Sequence, residues 1–154
     1  MVKLTINQVL LQGVDAHKAG HVQDAHRLYA AILKAQPKHP DANHNTGLLT
    51  VGDGKIELAL PFFKFALKAN PNNAQFWYSH IDALIKLERL VDAKSVLDQA
   101  KGKGIKGADF EQLEQRLDDA NKWQTKTNNS GSDEHGDQSK VLDTLKLDQA
   151  LRLA

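Results

Sequence analysis

The chain has 154 residues, of which 41% are hydrophobic and 25% are charged, and its formal net charge is +1. This composition is typical of a folded globular protein, and the lack of cysteine excludes disulfides, thiolate metal sites and cysteine nucleophiles. The balanced charge creates no overall positive field for nucleic acid, and no apolar run reaches the roughly 20 residues that cross a bilayer. We therefore expect a cytoplasmic protein without nucleic-acid or membrane partners.

The first two thirds of the chain repeat with a period of 34 residues. One column of the repeat carries a small side chain and a second column carries a large one. These positions are Ala25, Ala59 and Ala93, and Tyr29, Phe63 and Leu97. A fixed period of this length is typical of stacked structural repeats, and apolar residues at helical spacing predict two helices in each repeat.

Six helices are predicted in this region, and no strand. They cover residues 5–18, 22–35, 40–52, 56–69, 74–87 and 90–102. Thr5 and Gln8 form the pattern of a capping box at the first helix. Pro61 falls inside the fourth helix, where its missing N–H group predicts a bend.

The segment after the third repeat predicts a helix over residues 108–122. Phe110, Leu113, Leu117 and Ala120 follow helical spacing with charged residues between them. A helix with one apolar and one polar face is suited to cap the end of a stack of repeats. Residues 125–139 contain no aliphatic or aromatic side chain, so we interpret 123–139 as a flexible linker.

The last residues predict the start of a further helix or repeat over 140–154. Leu145–Ala154 aligns with Leu4–Gly13 at two leucines, an aliphatic residue, an aspartate or asparagine, a glutamine, a small apolar residue and a final glycine or alanine. The repeat would then be truncated at Ala154. A short docking helix is the alternative, and it could occupy a groove of this chain or of a second copy, which would make it a self-association element.

The repeat resembles the tetratricopeptide repeat, whose 34-residue pattern places an early aromatic, a glycine or alanine, and a closing proline at set positions. Gly13 and Gly47 occupy the small position, and Pro37 and Pro71 close the first two repeats. Trp77 supplies the early aromatic in the third repeat. The resemblance assigns repeats to residues 6–39, 40–73 and 74–107, and together with the capping helix these form one domain over 1–122.

Three positions depart from the family pattern. Val9 and Asn43 replace the early aromatic in the first two repeats, and Ile105 replaces the closing proline in the third. The resemblance implies an all-α fold, a right-handed helix-turn-helix solenoid of three repeats plus a capping helix. It also implies a concave groove lined by the first helix of each repeat.

The residues that the resemblance assigns to this groove include five apolar side chains that form its floor, with few polar ones to guide a ligand, which suits an apolar or amphipathic protein segment. The alternative is that they pack between repeats. They are Asn7, Leu10, Val14, His17, Asp41, His44, Asn45, Leu48, Val51, Gln75, Tyr78, Asp82 and Ile85. Of the residues with which chaperone-binding members clamp a terminal carboxylate, only Asn45 is matched, so that partner is disfavoured.

Other motifs give no catalytic, cofactor or metal site. Gly102, Gly104 and Gly107 spell GxGxxG, but a predicted helix rather than a strand precedes them, so we interpret them as an inter-helix loop. The neighbours Ser79, His80 and Asp82 point in different directions on a helix and cannot form a hydrolytic relay.

Histidine pairs and an acidic segment are the remaining metal candidates. His17 and His21 are separated by a turn at Gly20, so they are interpreted as surface residues. Asp133, Glu134, His135 and Asp137 lie in the predicted linker and provide at most weak metal capture. His39 and His44 are similarly separated by Pro40, and we predict no metal site.

The sequence thus favours a non-catalytic scaffold that binds a protein or peptide. An alternative comes from the segments HPDANHN at 39–45 and NPNNAQFWYSHIDALI at 70–85, which resemble N-terminal repeats of large bacterial glycosyltransferase, sulfotransferase or methyltransferase polypeptides. In that interpretation the chain recruits substrate for a transferase domain that lies beyond these residues. Self-association remains a third possibility.

Overall fold

The computed structural model describes residues 2–130, which form seven helices and no strand. In chain order these are α1 (Ile6–Lys18), α2 (Val22–Ala35), α3 (Pro40–Gly52), α4 (Ile56–Ala69), α5 (Ala74–Lys86), α6 (Leu90–Gly102) and α7 (Ala108–Ser130). The first six agree with the predicted bounds to within one residue. The all-α prediction is confirmed.

The helices pack as three consecutive pairs. Each helix from α1 to α5 contacts the next one along the chain, and α3 also contacts both α1 and α5. Contacts only between sequence neighbours and between first helices of adjacent repeats define a helical solenoid. The chain divides into one compact unit that ends at Leu117 and a second that begins at Asp118, of which the structure describes the later part of α7.

The core of the first unit lies along the columns that the 34-residue period predicts. All six side chains of the small and large columns are fully buried. They are Ala25, Ala59, Ala93, Tyr29, Phe63 and Leu97. Alanine at the small column lets two helices approach closely, and the large side chain fills the space between them.

The first helix of every repeat begins at a side-chain cap. At α1, the Gln8 N–H donates to Thr5 Oγ1 at 3.2 Å and the Thr5 N–H donates to Gln8 Oε1 at 2.8 Å, which confirms the capping box. His39 Nδ1 accepts from the Ala42 N–H at 3.1 Å at the start of α3, and the Asn73 side chain caps α5. These caps satisfy orphan N–H groups and set where each first helix starts.

Helix α7 extends beyond its predicted end near residue 122, and the described part of it reaches Ser130. Residues 123–130, which we expected in the linker, are helical. No glycine or proline interrupts this stretch before Gly131. The hydroxyl groups of Thr125 and Thr127 donate to carbonyls of the preceding turn, at 2.9 and 3.0 Å. The remainder of the predicted linker and residues 140–154 lie outside the described residues.

The fourth helix contains the proline at which we expected a bend. Helix α4 continues on both sides of Pro61, and the bend expected there stays a prediction. Within residues 2–130, no helix is long and apolar enough to cross a membrane.

Candidate functional site

The predicted groove residues lie on α1, α3 and α5, and these three helices are neighbours in the solenoid. The apolar members are all half-buried, so each keeps part of its surface accessible. They are Leu10, Val14, Leu48, Val51, Tyr78 and Ile85. Half-buried apolar side chains on adjacent helices are a surface on which a partner's apolar side chains can pack.

The polar members differ in accessibility. Asn7 and Gln75 are exposed, while His17, Asp41 and Asn45 are half-buried. Amide side chains both donate and accept hydrogen bonds, so they can recognise the backbone or polar side chains of a bound segment.

His44 is placed differently from the other predicted groove residues. It is 5% exposed, and its Nε2 atom lies 2.8 Å from Ser79 Oγ on α5. Its ring centroid lies 4.7 Å from that of Phe76 and 5.8 Å from that of Phe63. Desolvation by burial lowers the pKa of His44, which keeps the ring neutral. His44 therefore joins the second and third repeats and has little surface for a ligand.

Asp82 is the centre of a charge cluster. Its carboxylate accepts from Lys86 Nζ at 2.9 Å and from Arg116 Nη1 at 2.7 Å. Two cations thus share one carboxylate at this end of the groove. Sequence reasoning missed both partners, although Lys86 lies one helical turn after Asp82 and Arg116 lies one repeat period after it.

In the second and third repeats, one side chain of the first helix is hydrogen-bonded to the loop before that helix. Trp77 Nε1 donates to the Pro71 carbonyl at 2.7 Å, and Asn43 Nδ2 donates to the Pro37 carbonyl at 3.0 Å. Asn43 and Trp77 occupy the same repeat position. Asparagine therefore makes the hydrogen bond that tryptophan makes in the third repeat, which explains this departure from the family pattern.

The remaining motifs have structural roles. Gly102 ends α6, and Gly104 and Gly107 have φ angles of 80° and 144° in the loop before α7, so the GxGxxG segment is an inter-helix loop as predicted. Ser79 Oγ bonds to His44 rather than to His80, so no hydrolytic relay forms. Within residues 2–130, no group of three metal-ligating side chains could hold a metal ion. The acidic segment at 133–137 lies outside the described residues.

A helical solenoid with a partly apolar surface on its first helices is the architecture of an interaction module. Models of the tetratricopeptide repeat match the chain over residues 10–60 and residues 51–121. The chain belongs to the tetratricopeptide repeat family. No functionally curated protein matches it.

Solved structures with the same fold come from several bacteria. A tetratricopeptide repeat protein from Parabacteroides merdae has a TM-score of 0.68 at 20% identity, and the match covers 75% of this chain and 45% of that one. The Yersinia enterocolitica type III secretion chaperone SycD, in complex with a peptide of the translocator YopD, has a TM-score of 0.63 at 18% identity and coverages of 77% and 91%.

A third structure is an enzyme. The Thermobaculum terrenum O-GlcNAc transferase, as a K341M mutant, matches with a TM-score of 0.58 at 24% identity. The match covers 65% of this chain and 20% of the transferase. At these identities the likeness concerns the fold alone.

Proposed function

We propose that the chain is a non-catalytic scaffold whose groove binds an amphipathic segment of a partner protein. The observation that carries this proposal is the set of half-buried apolar side chains on three adjacent first helices. SycD, which shares the fold, is a chaperone that binds a translocator peptide, and this supports the same use of the solenoid here.

Leu48 and Tyr78 are the central contacts of the proposed interface. They lie on α3 and α5, which contact each other, and both are half-buried. Covering their remaining apolar surface contributes about 25 cal/mol per Å² to binding. Polar side chains at the margins, such as Asn7 and Gln75, add hydrogen bonds that select the register of the bound segment.

The charge cluster at Asp82 gives the proposed interface a direction. Lys86 and Arg116 both pair with Asp82, and we infer that their remaining N–H donors favour an acidic residue of the partner beside α5 and α7. Charge complementarity of this kind chooses orientation and partner more than it adds affinity. The preferred ligand is therefore an amphipathic segment with an acidic residue at one end.

A displayed library of amphipathic helical peptides tests the proposal. Peptides enriched on the wild-type chain should lose binding to Leu48→Glu and Tyr78→Ala. They should keep binding to Leu58→Glu, which introduces the same charge at a 62% exposed leucine on α4. Far-ultraviolet circular dichroism and thermal unfolding verify that all three variants fold. Equal binding by the folded groove variants would refute the groove assignment.

A second candidate function is that of a substrate-recruiting arm in a larger transferase polypeptide, and the match to the O-GlcNAc transferase favours it. The mass of the native polypeptide, detected with an antibody against residues 1–122, separates the two functions. A species near 17.0 kDa supports a scaffold that acts alone, and a much larger species supports the recruiting arm.

Self-association through residues 140–154 is a third proposal. Sedimentation of the full chain and of a deletion of 139–154 tests it, since only a chain that self-associates through this segment changes from oligomer to monomer on deletion. Unchanged sedimentation would count against this proposal.

A further inference from the structure

A cleft of about 490 Å³ lies between α4 and α6, the second helices of the second and third repeats. Leu67, Trp77 and Val96 give it apolar walls, and Trp77 comes from α5. A volume of this size is enough to enclose most of a small organic molecule. None of the lining residues belongs to the predicted groove.

The charges that line this cleft are all positive. Lys64, Lys68 and Lys103 line it, and no carboxylate does. The lysines that form ion pairs in the described part of the chain are Lys86, Lys94 and Lys101. The three cleft lysines thus have no carboxylate partner there, and their flexible stems allow the ammonium groups to turn toward a ligand.

His80 is a second, independent feature of the same cleft. The residue is 5% exposed and lines both this cleft and an adjoining cavity of about 140 Å³. Neither Nδ1 nor Nε2 has a hydrogen-bond partner within residues 2–130. Buried ring nitrogens are normally paired because leaving them unpaired is unfavourable, so a ligand hydrogen bond to this ring is favourable once a side-chain movement uncovers one of its nitrogens.

The electrostatic environment of His80 is positive, as expected from the three lysines that line the cleft. The pKa of His80 is lowered to about 4, first by burial and then by the positive charges of Lys64 and Arg89. Cations that disfavour an imidazolium favour an anion in the same place.

The cleft and the groove use different faces of α5. Successive residues of an α-helix are rotated by about 100°, so Trp77 and His80 lie on one face while Tyr78, Asp82 and Ile85 lie on another. A ligand in the cleft can therefore bind while a peptide occupies the groove.

We propose that this cleft is a second binding site, which takes a small organic anion in which a carboxylate or phosphate is attached to an apolar body. Lys64, Lys68 and Lys103 contact the anionic group. The apolar body packs against Trp77 and its aliphatic neighbours, and a ring nitrogen of His80 completes the hydrogen bonding. This site does not depend on the function proposed for the groove.

Titrations of the full chain with four probes, followed by nitrogen-15 NMR, test the proposal. N-acetylphenylalanine stands for the carboxyl terminus of a peptide and phenyl phosphate stands for a free phosphomonoester. N-acetylphenylalaninamide keeps the apolar body without the charge, and inorganic phosphate keeps the charge without the body. At least one of the first two should shift the Trp77 indole and His80 ring signals and bind about tenfold more tightly than both controls.

Single-lysine variants locate the binding. Lys68→Gln and Lys103→Gln should each weaken the better probe by about two- to fivefold, as expected for the loss of one partly solvated charge contact. Lys34→Gln is the matched control, since it removes an exposed lysine of α2 that does not line the cleft. Equal binding of the amide or of inorganic phosphate, or equal weakening by Lys34→Gln, would overturn the proposal.

Discussion

Gly47 lies against the ring of Phe63 so closely that a Cβ atom at position 47 would be 2.5 Å from Phe63 Cε1. Gly13 and Tyr29 repeat this contact in the first repeat, again at 2.5 Å. The third repeat has Ile81 and Leu97 at the corresponding positions, and both are fully buried. A glycine faces an aromatic ring in two repeats, whereas a larger residue is paired with a smaller one in the third, so the two positions share a limited volume.

The first prediction concerns this contact. Gly47→Ala should lower the free energy of unfolding by about 1–3 kcal/mol, because Phe63 is fully buried and its ring cannot move away. Phe63→Leu should relieve the overpacking, so the double variant should be less destabilised than the sum of the two single variants. Urea unfolding measures all three.

Gly52→Ala provides the control for helix propensity, since nothing lies within 4 Å of a Cβ at this helical glycine. It should be neutral or stabilising by up to about 1 kcal/mol. Equal effects at positions 47 and 52 would show that close approach to Phe63 is not the cause.

The second prediction concerns the turn within each repeat. Gly20 and Gly54 have φ angles of 79° and 78°, and Glu88 occupies the corresponding position of the third repeat with φ at 57°. A side chain strains this left-handed conformation, so Glu88→Gly should raise the free energy of unfolding by about 0.5–1 kcal/mol. Gly54→Ala should lower it. Thermal unfolding of both variants tests this prediction, and a Glu88→Gly variant less stable than the wild type would contradict the backbone strain at Glu88.

The third prediction is a pH dependence that originates at His80. Its pKa is lowered from 6.5 to about 4 in the folded chain, first by burial and then by Lys64 and Arg89. Between these values the unfolded chain binds more protons, so the free energy of unfolding falls as the pH is lowered from 6.5 to 4. The contribution lost is about 3 kcal/mol at most.

His80→Leu removes this titration, and its stability should depend less steeply on pH than that of the wild type. Urea unfolding at pH values across the interval measures the two slopes. His21→Leu, which replaces an exposed histidine, is measured alongside as the control for the substitution itself. A slope for His80→Leu as steep as that of the wild type would assign the proton uptake to other groups.

The fourth prediction concerns the link between a repeat and the loop before it. Asn43 is 2% exposed and donates to the carbonyls of Pro37 and His39 at 3.0 and 2.9 Å. Asn43→Leu keeps a similar volume but leaves both carbonyls without this donor, so it should cost about 1–3 kcal/mol. Chemical denaturation measures the loss, and Asn7→Leu, at an exposed asparagine of α1, should change stability by less than about 0.5 kcal/mol.

Local patterns were enough to predict the helices, the repeat columns and the capping box at Thr5. The 34-residue period compares each residue with its equivalents, so the burial of Ala59 and Phe63 follows from their columns. The helical conformation of residues 123–130 was missed because exposed helical residues show no apolar periodicity. In this stretch, threonine hydroxyl groups donate to carbonyl oxygens of the preceding turn, as Thr125 does to Lys122.

Helix type and repeat register were determined by the sequence alone, because hydrophobic spacing, caps and turn residues act over a few positions along the chain. Only the tertiary structure decided which polar residues are functional candidates, since their partners come from other helices. His44 is buried against Ser79, Asp82 pairs with Arg116 of α7, and His80 lines a cleft with lysines of α4 and of the turn after α6. Burial and charge at these sites depend on contacts between repeats, which no pattern within one helix contains.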